Sequence, residues 1–156
     1  QKYANMNPKV RAKTAQINQK SIQKKTIEQM KELNFRPEWI AFSEAKVLCL
    51  EEQWREASIK LESLRPRMNI FPAPMTHSLD HLLGRCYKAM GQPDRQLDAY
   101  ARTLADDPQS LVALAGQAEA LVALKRMPEA LERLTDPSAG LISQVPADKA
   151  VAGRNN

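Results

Sequence analysis

Apolar residues recur along this chain at three- and four-residue intervals, interrupted by short polar breaks that carry proline or glycine. That period is helical, and no stretch alternates as a half-buried strand would. Pro37-Glu38, Pro93-Asp94 and Pro128-Glu129 mark three helix starts. Proline suits the first helical position because its missing N–H would go unpaired there, and the acid after it faces the positive end of the helix dipole. The pattern predicts a helix over about 9–34, then helix pairs at 38–50 with 53–64, 77–90 with 93–105, and 110–124 with 128–135.

Each pair sets small residues against large ones. Ala45, Gly84 and Ala118 occupy equivalent places in the first helices, with Leu48, Tyr87 and Leu121 about one turn later. In the second helices Ala57 and Ala130 precede Leu61 and Leu134 by four residues, and Tyr100 follows Gln96 at the same spacing. A small residue lets the paired helix approach, and the larger one fills the space beside it. Helices this short are marginal alone and need their neighbours.

The spacing repeats along the chain. Asp80-x-x-Leu83-Gly84-x-x-Tyr87 is followed by Gln96-x-x-x-Tyr100 and Asp107-Pro108; Ala130 lies 34 residues after Gln96, and Ala57 lies 39 before it. A period near 34 with these offsets resembles the tetratricopeptide repeat family. The resemblance spans about residues 38–136 and is most specific in the middle unit. Asp80 stands where the family has Trp, Gln96 where it has Ala, and Glu44-Ala45 where the first unit should have Leu-Gly. Arg65 to Thr76 makes a connector about five residues longer than the repeat needs, and its three prolines predict a stiff, irregular link.

The resemblance implies an all-α, right-handed αα superhelix of about three helix pairs plus an N-terminal helix. Its divisions are a basic helix or part of a preceding repeat over 1–36, a repeat domain over 37–136 (units 38–71, 77–110 and 111–136), and a flexible polar tail over 137–156. In this family the first helices line a concave groove that takes up peptides or partner helices. Helix spacing puts Trp39, Phe42 and Lys46 on that face in the first unit, His81, Arg85 and Lys88 in the second, and Ala115, Glu119 and Val122 in the third. Aromatic anchors beside arginine and lysine suit a protein or peptide partner with apolar and acidic side chains. A family subclass that grips a C-terminal carboxylate needs a Lys, Asn and Arg set; here those places hold Phe42, Ser43, Lys46, Ser78, His81 and Leu82.

Composition bounds the alternatives. Few aromatics and only five glycines, with abundant Ala, Leu, Glu, Lys, Arg and Gln, favour helix over a β-sandwich. The net charge of +5 is unevenly spread: residues 1–36 carry nine Lys and Arg against Glu28 and Glu32, while the rest carries 14 basic and 16 acidic side chains. The repeat body is thus nearly neutral, and nucleic-acid binding is a lesser reading confined to the first segment. Cys49 and Cys86 are expected to be reduced, small hydrophobes. No stretch approaches 18 uninterrupted apolar residues, so no membrane span is expected.

Candidate chemistry is sparse. His77 and His81 share a helix face at i, i+4, too few ligands for zinc. The sequence has no phosphate-binding glycine loop, no His-Glu-x-x-His and no nucleophile elbow. A non-catalytic binding scaffold without metal or cofactor is the expectation, with an accessory, substrate-positioning domain of a larger transferase or kinase as the alternative. The chain begins at Gln1 and not Met, which suggests an excised piece; exposed solenoid ends would then favour self-association.

Overall fold

The structure, a computed structural model, describes residues 7–135; the polar segment over 137–156 lies outside them. Among the described residues it is all helical: α1 (Pro8–Glu32), α2 (Pro37–Leu50), α3 (Trp54–Leu64), a 3-10 helix (Arg65–Ile70), α4 (Ala73–Ala89), α5 (Pro93–Asp106), α6 (Leu111–Ala123) and α7 (Met127–Thr135). Contacts divide the chain between Ile70 and Phe71 into two compact units.

In the first unit α2 packs against both α1 and α3, and the 3-10 helix folds back on α3. The long α1 starts cleanly, its Asn7 side chain accepting from the Lys9 N–H at 3.0 Å with Pro8 at the first helical position. Ile27 is its only buried side chain among the described residues. The irregular apolar spacing of this segment explains that: it yields no continuous stripe to bury. The centre of the unit is instead Phe42, Ala45, Ala57, Leu61, Leu64 and Met68.

In the second unit α4 packs on α5, α5 on α6 and α6 on α7, and α4 also touches α6. Here α4 begins at Ala73, earlier than the spacing of its apolar residues suggests, and most of the expected irregular connector is helical. The prolines allow it. Pro72 is the N-cap and Pro74 sits within the first turn, where no N–H has an intrahelical partner to lose.

One turn geometry recurs at the ends of α1, α2, α4 and α6. Each continues into a residue with left-handed backbone, Asn34, Glu52, Gly91 and Lys125, with φ between 53° and 65°. Two backbone bonds close each turn. After α4, the Gly91 N–H donates to the Lys88 carbonyl at 3.1 Å and the Gln92 N–H to the Tyr87 carbonyl at 2.9 Å. The same pair joins Glu52 to Cys49 and Gln53 to Leu48, and again Lys125 to Val122 and Arg126 to Leu121. This is the Schellman pattern, which satisfies carbonyls a helix end would otherwise orphan. Its acceptors Leu48, Tyr87 and Leu121 are the large residues of the repeated pattern.

The next helix then starts at once. The carbonyls of Gln53, Gln92 and Arg126 accept from the N–H of Ala57, Gln96 and Ala130 at 2.9, 3.0 and 3.1 Å. All three helix pairs are therefore α-hairpins with the same three-residue connection. Only one of the three turns uses glycine, so Glu52 and Lys125 pay the left-handed strain, about 1–2 kcal/mol each. Glu52→Gly and Lys125→Gly are each expected to stabilise the fold by about 0.5 kcal/mol, after subtracting the extra chain entropy glycine loses on folding. Urea unfolding measures this; destabilisation by both would contradict the strain assigned to these turns.

Candidate protein-binding surfaces

The second unit is organised round Tyr100 of α5. A Cβ built at Gly84 of α4 would lie 2.5 Å from Cε2 and Cζ of the Tyr100 ring, and one at Gly116 of α6 would lie closer still. The ring therefore occupies the space that two glycines vacate on two different helices. Gln96, one turn earlier, is buried and donates from Nε2 to the Gly116 carbonyl at 3.1 Å. Gln96 thus ties α5 to the backbone of α6.

Asp80, the other departure from the pattern, is almost wholly buried, with Oδ1 3.3 Å from Arg102 Nε of α5. A buried carboxylate needs such a partner because desolvation of an isolated charge costs several kcal/mol. The ion pair links α4 to α5 by charge.

These contacts set the face that α4 and α6 share. His81, Arg85 and Lys88 follow one another along α4. Arg85 and Lys88 are exposed, and Lys88 Nζ reaches Glu119 Oε2 of α6 at 2.9 Å. Lys88, Ala115, Ala118, Glu119, Val122 and Leu134 line a depression of about 440 Å³. A smaller hollow of about 200 Å³ lies among His77, Ser78, His81, Tyr100, Thr103, Ser110, Val112 and Ala113. His81 Nδ1 is 3.2 Å from the Tyr100 hydroxyl. Burial, followed by the nearby Arg85 guanidinium, lowers the His81 pKa, and burial pushes that of Tyr100 up to about 12.

The first unit carries the other three candidates. Phe42 is 4% exposed, so its ring belongs to the core. Lys46 Nζ lies 4.8 Å from the centre of that ring and covers it. Trp39, one turn towards the start of α2, keeps 39% of its surface open. On the opposite side, Lys24, Lys31, Glu44, Val47 and Lys60 border a depression of about 570 Å³ between α1, α2 and α3. Glu44 bridges Lys60 and Lys31, and Lys60 foremost holds its carboxyl below the usual range. Lys24 pairs with Glu51 at 2.5 Å. Two lysines of the basic helix are thus engaged by carboxylates of α2 and its cap.

Sequence spacing put Lys88 and Glu119, which the structure brings together, on one face, but it did not single out Thr103, Ser110 or the steric role of Gly116. Gly116 leaves a trace: a glycine inside an alanine-rich helix, where alanine is worth about 1 kcal/mol more, marks a close approach. Thr103 and Ser110 leave none, since both residue types are ordinary at a helix end. Cys49 and Cys86 are buried and neither is in a disulfide. No described helix is long and apolar enough to cross a membrane.

Among the described residues the fold is all-α and built on α-hairpins, with a face between α4 and α6 that mixes charged and apolar side chains. Comparison of the chain with protein-family models, curated proteins and solved structures found no match.

Two predictions follow from this geometry. Gly116→Ala is expected to destabilise the fold by about 1–3 kcal/mol through overpacking against the Tyr100 ring, despite its better helix propensity. Calorimetric melting tests it, and the penalty should shrink in a Tyr100→Ala background. The second concerns pH. With its folded-state pKa below the ordinary 6.5, His81 contributes stability that is present above pH 6.5 and lost as pH falls through the folded value. His81→Gln should therefore flatten the loss of stability on acidification from pH 7, measured by urea midpoints; an unchanged slope would remove His81 as the cause.

Proposed function

We propose that this chain is a tetratricopeptide-like helical repeat protein that binds a peptide or protein segment along the face shared by α4 and α6. In this reading the hairpins belong to a right-handed αα superhelix, and the chain binds without doing chemistry of its own. Two observations support the repeat: the three α-hairpins share one turn geometry, and α4, the first helix of its hairpin, touches α6, the first helix of the next. The reach of Lys88 across to Glu119 carries the binding site, because it joins these two first helices on one surface.

The chemistry of that surface suits an extended segment. Arg85 offers a guanidinium that can take a carboxylate in two parallel hydrogen bonds. Ala115 and Val122, both exposed, and the partly buried Leu134 offer apolar contact beside Lys88. The surface charge is mixed, so specificity comes from the alternation of an acid with apolar anchors and not from a broad electrostatic field. Trp39 with Lys46 forms a second candidate contact surface, confined to the first unit.

Panning a displayed peptide library against the whole chain tests the reading. Enriched peptides are expected to combine an acidic residue with apolar neighbours. Arg85→Glu should weaken their binding at least about tenfold, the scale of one charge-assisted pair turned repulsive, while melting and helical circular dichroism stay unchanged. No enrichment, or peptides indifferent to both Arg85→Glu and Lys88→Glu, would overturn it.

A further inference from the structure

The hollow at the His81 end of the α4–α6 face contains polar groups that the fold leaves unused. Thr103 is 4% exposed and lines the hollow, yet its buried Oγ1 has no hydrogen-bond partner. A buried hydroxyl without a partner costs about 1–3 kcal/mol, so its persistence calls for a reason. His77 Nε2 is likewise buried without a hydrogen bond, Asp106 Oδ2 being 3.7 Å away. Ser110, the N-cap of α6, makes no side-chain capping bond, although serine there normally accepts from the first turn. Ser78, by contrast, is already committed to the Pro74 carbonyl at 2.9 Å.

The charge of the lining narrows the ligand. No Lys, Arg, Asp or Glu lines the hollow. The charges around that lining are Asp106 beside His77, Arg85 near His81 and Tyr100, and Glu119 near Tyr100, so both signs surround the hollow without lining it. A carboxylate or an ammonium entering here would lose hydration without touching a counter-charge, and each would meet a like charge just outside the lining. Hydroxyl and imidazole groups can each both donate and accept. Their natural complement is one uncharged group with a donor and an acceptor side by side, set on a short apolar stem that can lie against Val112, Ala113 and the Tyr100 ring.

We infer that this hollow receives the side-chain carboxamide of an asparagine or glutamine in the bound segment, with Thr103 and Ser110 hydrogen-bonding it and the Tyr100 ring packing along its stem. The inference rests on the peptide-binding reading of the α4–α6 face and adds a specificity position to it. At a volume of about 200 Å³ the hollow is several times the roughly 30 Å³ share of one water, so it has room for such a group.

Propionamide, the glutamine side chain detached from its backbone, provides a direct probe. In titrations of the whole chain followed by amide and imidazole NMR, propionamide is expected to shift the signals of Thr103, Val112, Ala113 and His81 saturably. Propionate and propylammonium should bind more weakly at the same concentrations. Thr103→Val should weaken propionamide about fivefold, the loss of one hydrogen bond, while leaving the fold as stable or more so, because it deletes an unsatisfied hydroxyl. Ser110→Ala serves as a second variant with the same expected weakening. Tighter binding of propionate, propionamide shifts that neither substitution alters, or no saturable shift would overturn the inference. Failure of the peptide reading is separable, because it is tested at Arg85 and Lys88, outside the hollow, with peptides and not with propionamide.

Discussion

The second unit depends on one steric arrangement: the phenol ring of Tyr100 fills the space left by missing side chains at Gly84 and Gly116. Three helices meet at that ring. It brings α5 close enough to α6 for Gln96 to reach the Gly116 carbonyl, and close enough to α4 for the hydroxyl to meet His81. Aromatic burial of this kind contributes several kcal/mol at one position, and two glycines give up local helix stability to allow it. The shared face of α4 and α6 follows from this contact, since both helices are referenced to the same ring.

The turns supply the second constraint. Each hairpin reverses through a C-cap residue, one left-handed residue and the residue before the next helix, so backbone bonds fix the phase of its two helices. Short helices gain little from propensity and most from packing. A turn with no slack keeps their apolar faces aligned while that packing forms. Glu52 and Lys125 accept the left-handed conformation where Gly91 adopts it freely, which shows the turn geometry overriding local preference.

Polar groups inside the second unit divide by what they do. Asp80 with Arg102 links α4 to α5 by an ion pair, and Gln96 bonds the backbone of α6. Thr103 and Ser110 satisfy nothing comparable and collect at one end of the exposed face. Buried polar groups that bond across helices fix how those helices pack.

Much of this was legible from the residue pattern, because it is encoded by near neighbours. The helix starts at Pro37 and Pro93 and the small-to-large spacing within each helix depend on relations a few residues apart along the chain. The start of α4 was displaced because prolines that suggest an irregular link also fit a first helical turn. Gly116 was overlooked in favour of Ala118, since both are small and only the position of the Tyr100 ring separates them. The sequence alone determined an all-helical chain, its hairpins and the residues available to each face. The tertiary structure decided that a threonine of α5, the cap of α6 and two histidines of α4 converge on one hollow. Such convergence depends on interhelical distances of a few ångströms, which side-chain volume sets across helices and periodicity along one helix does not record.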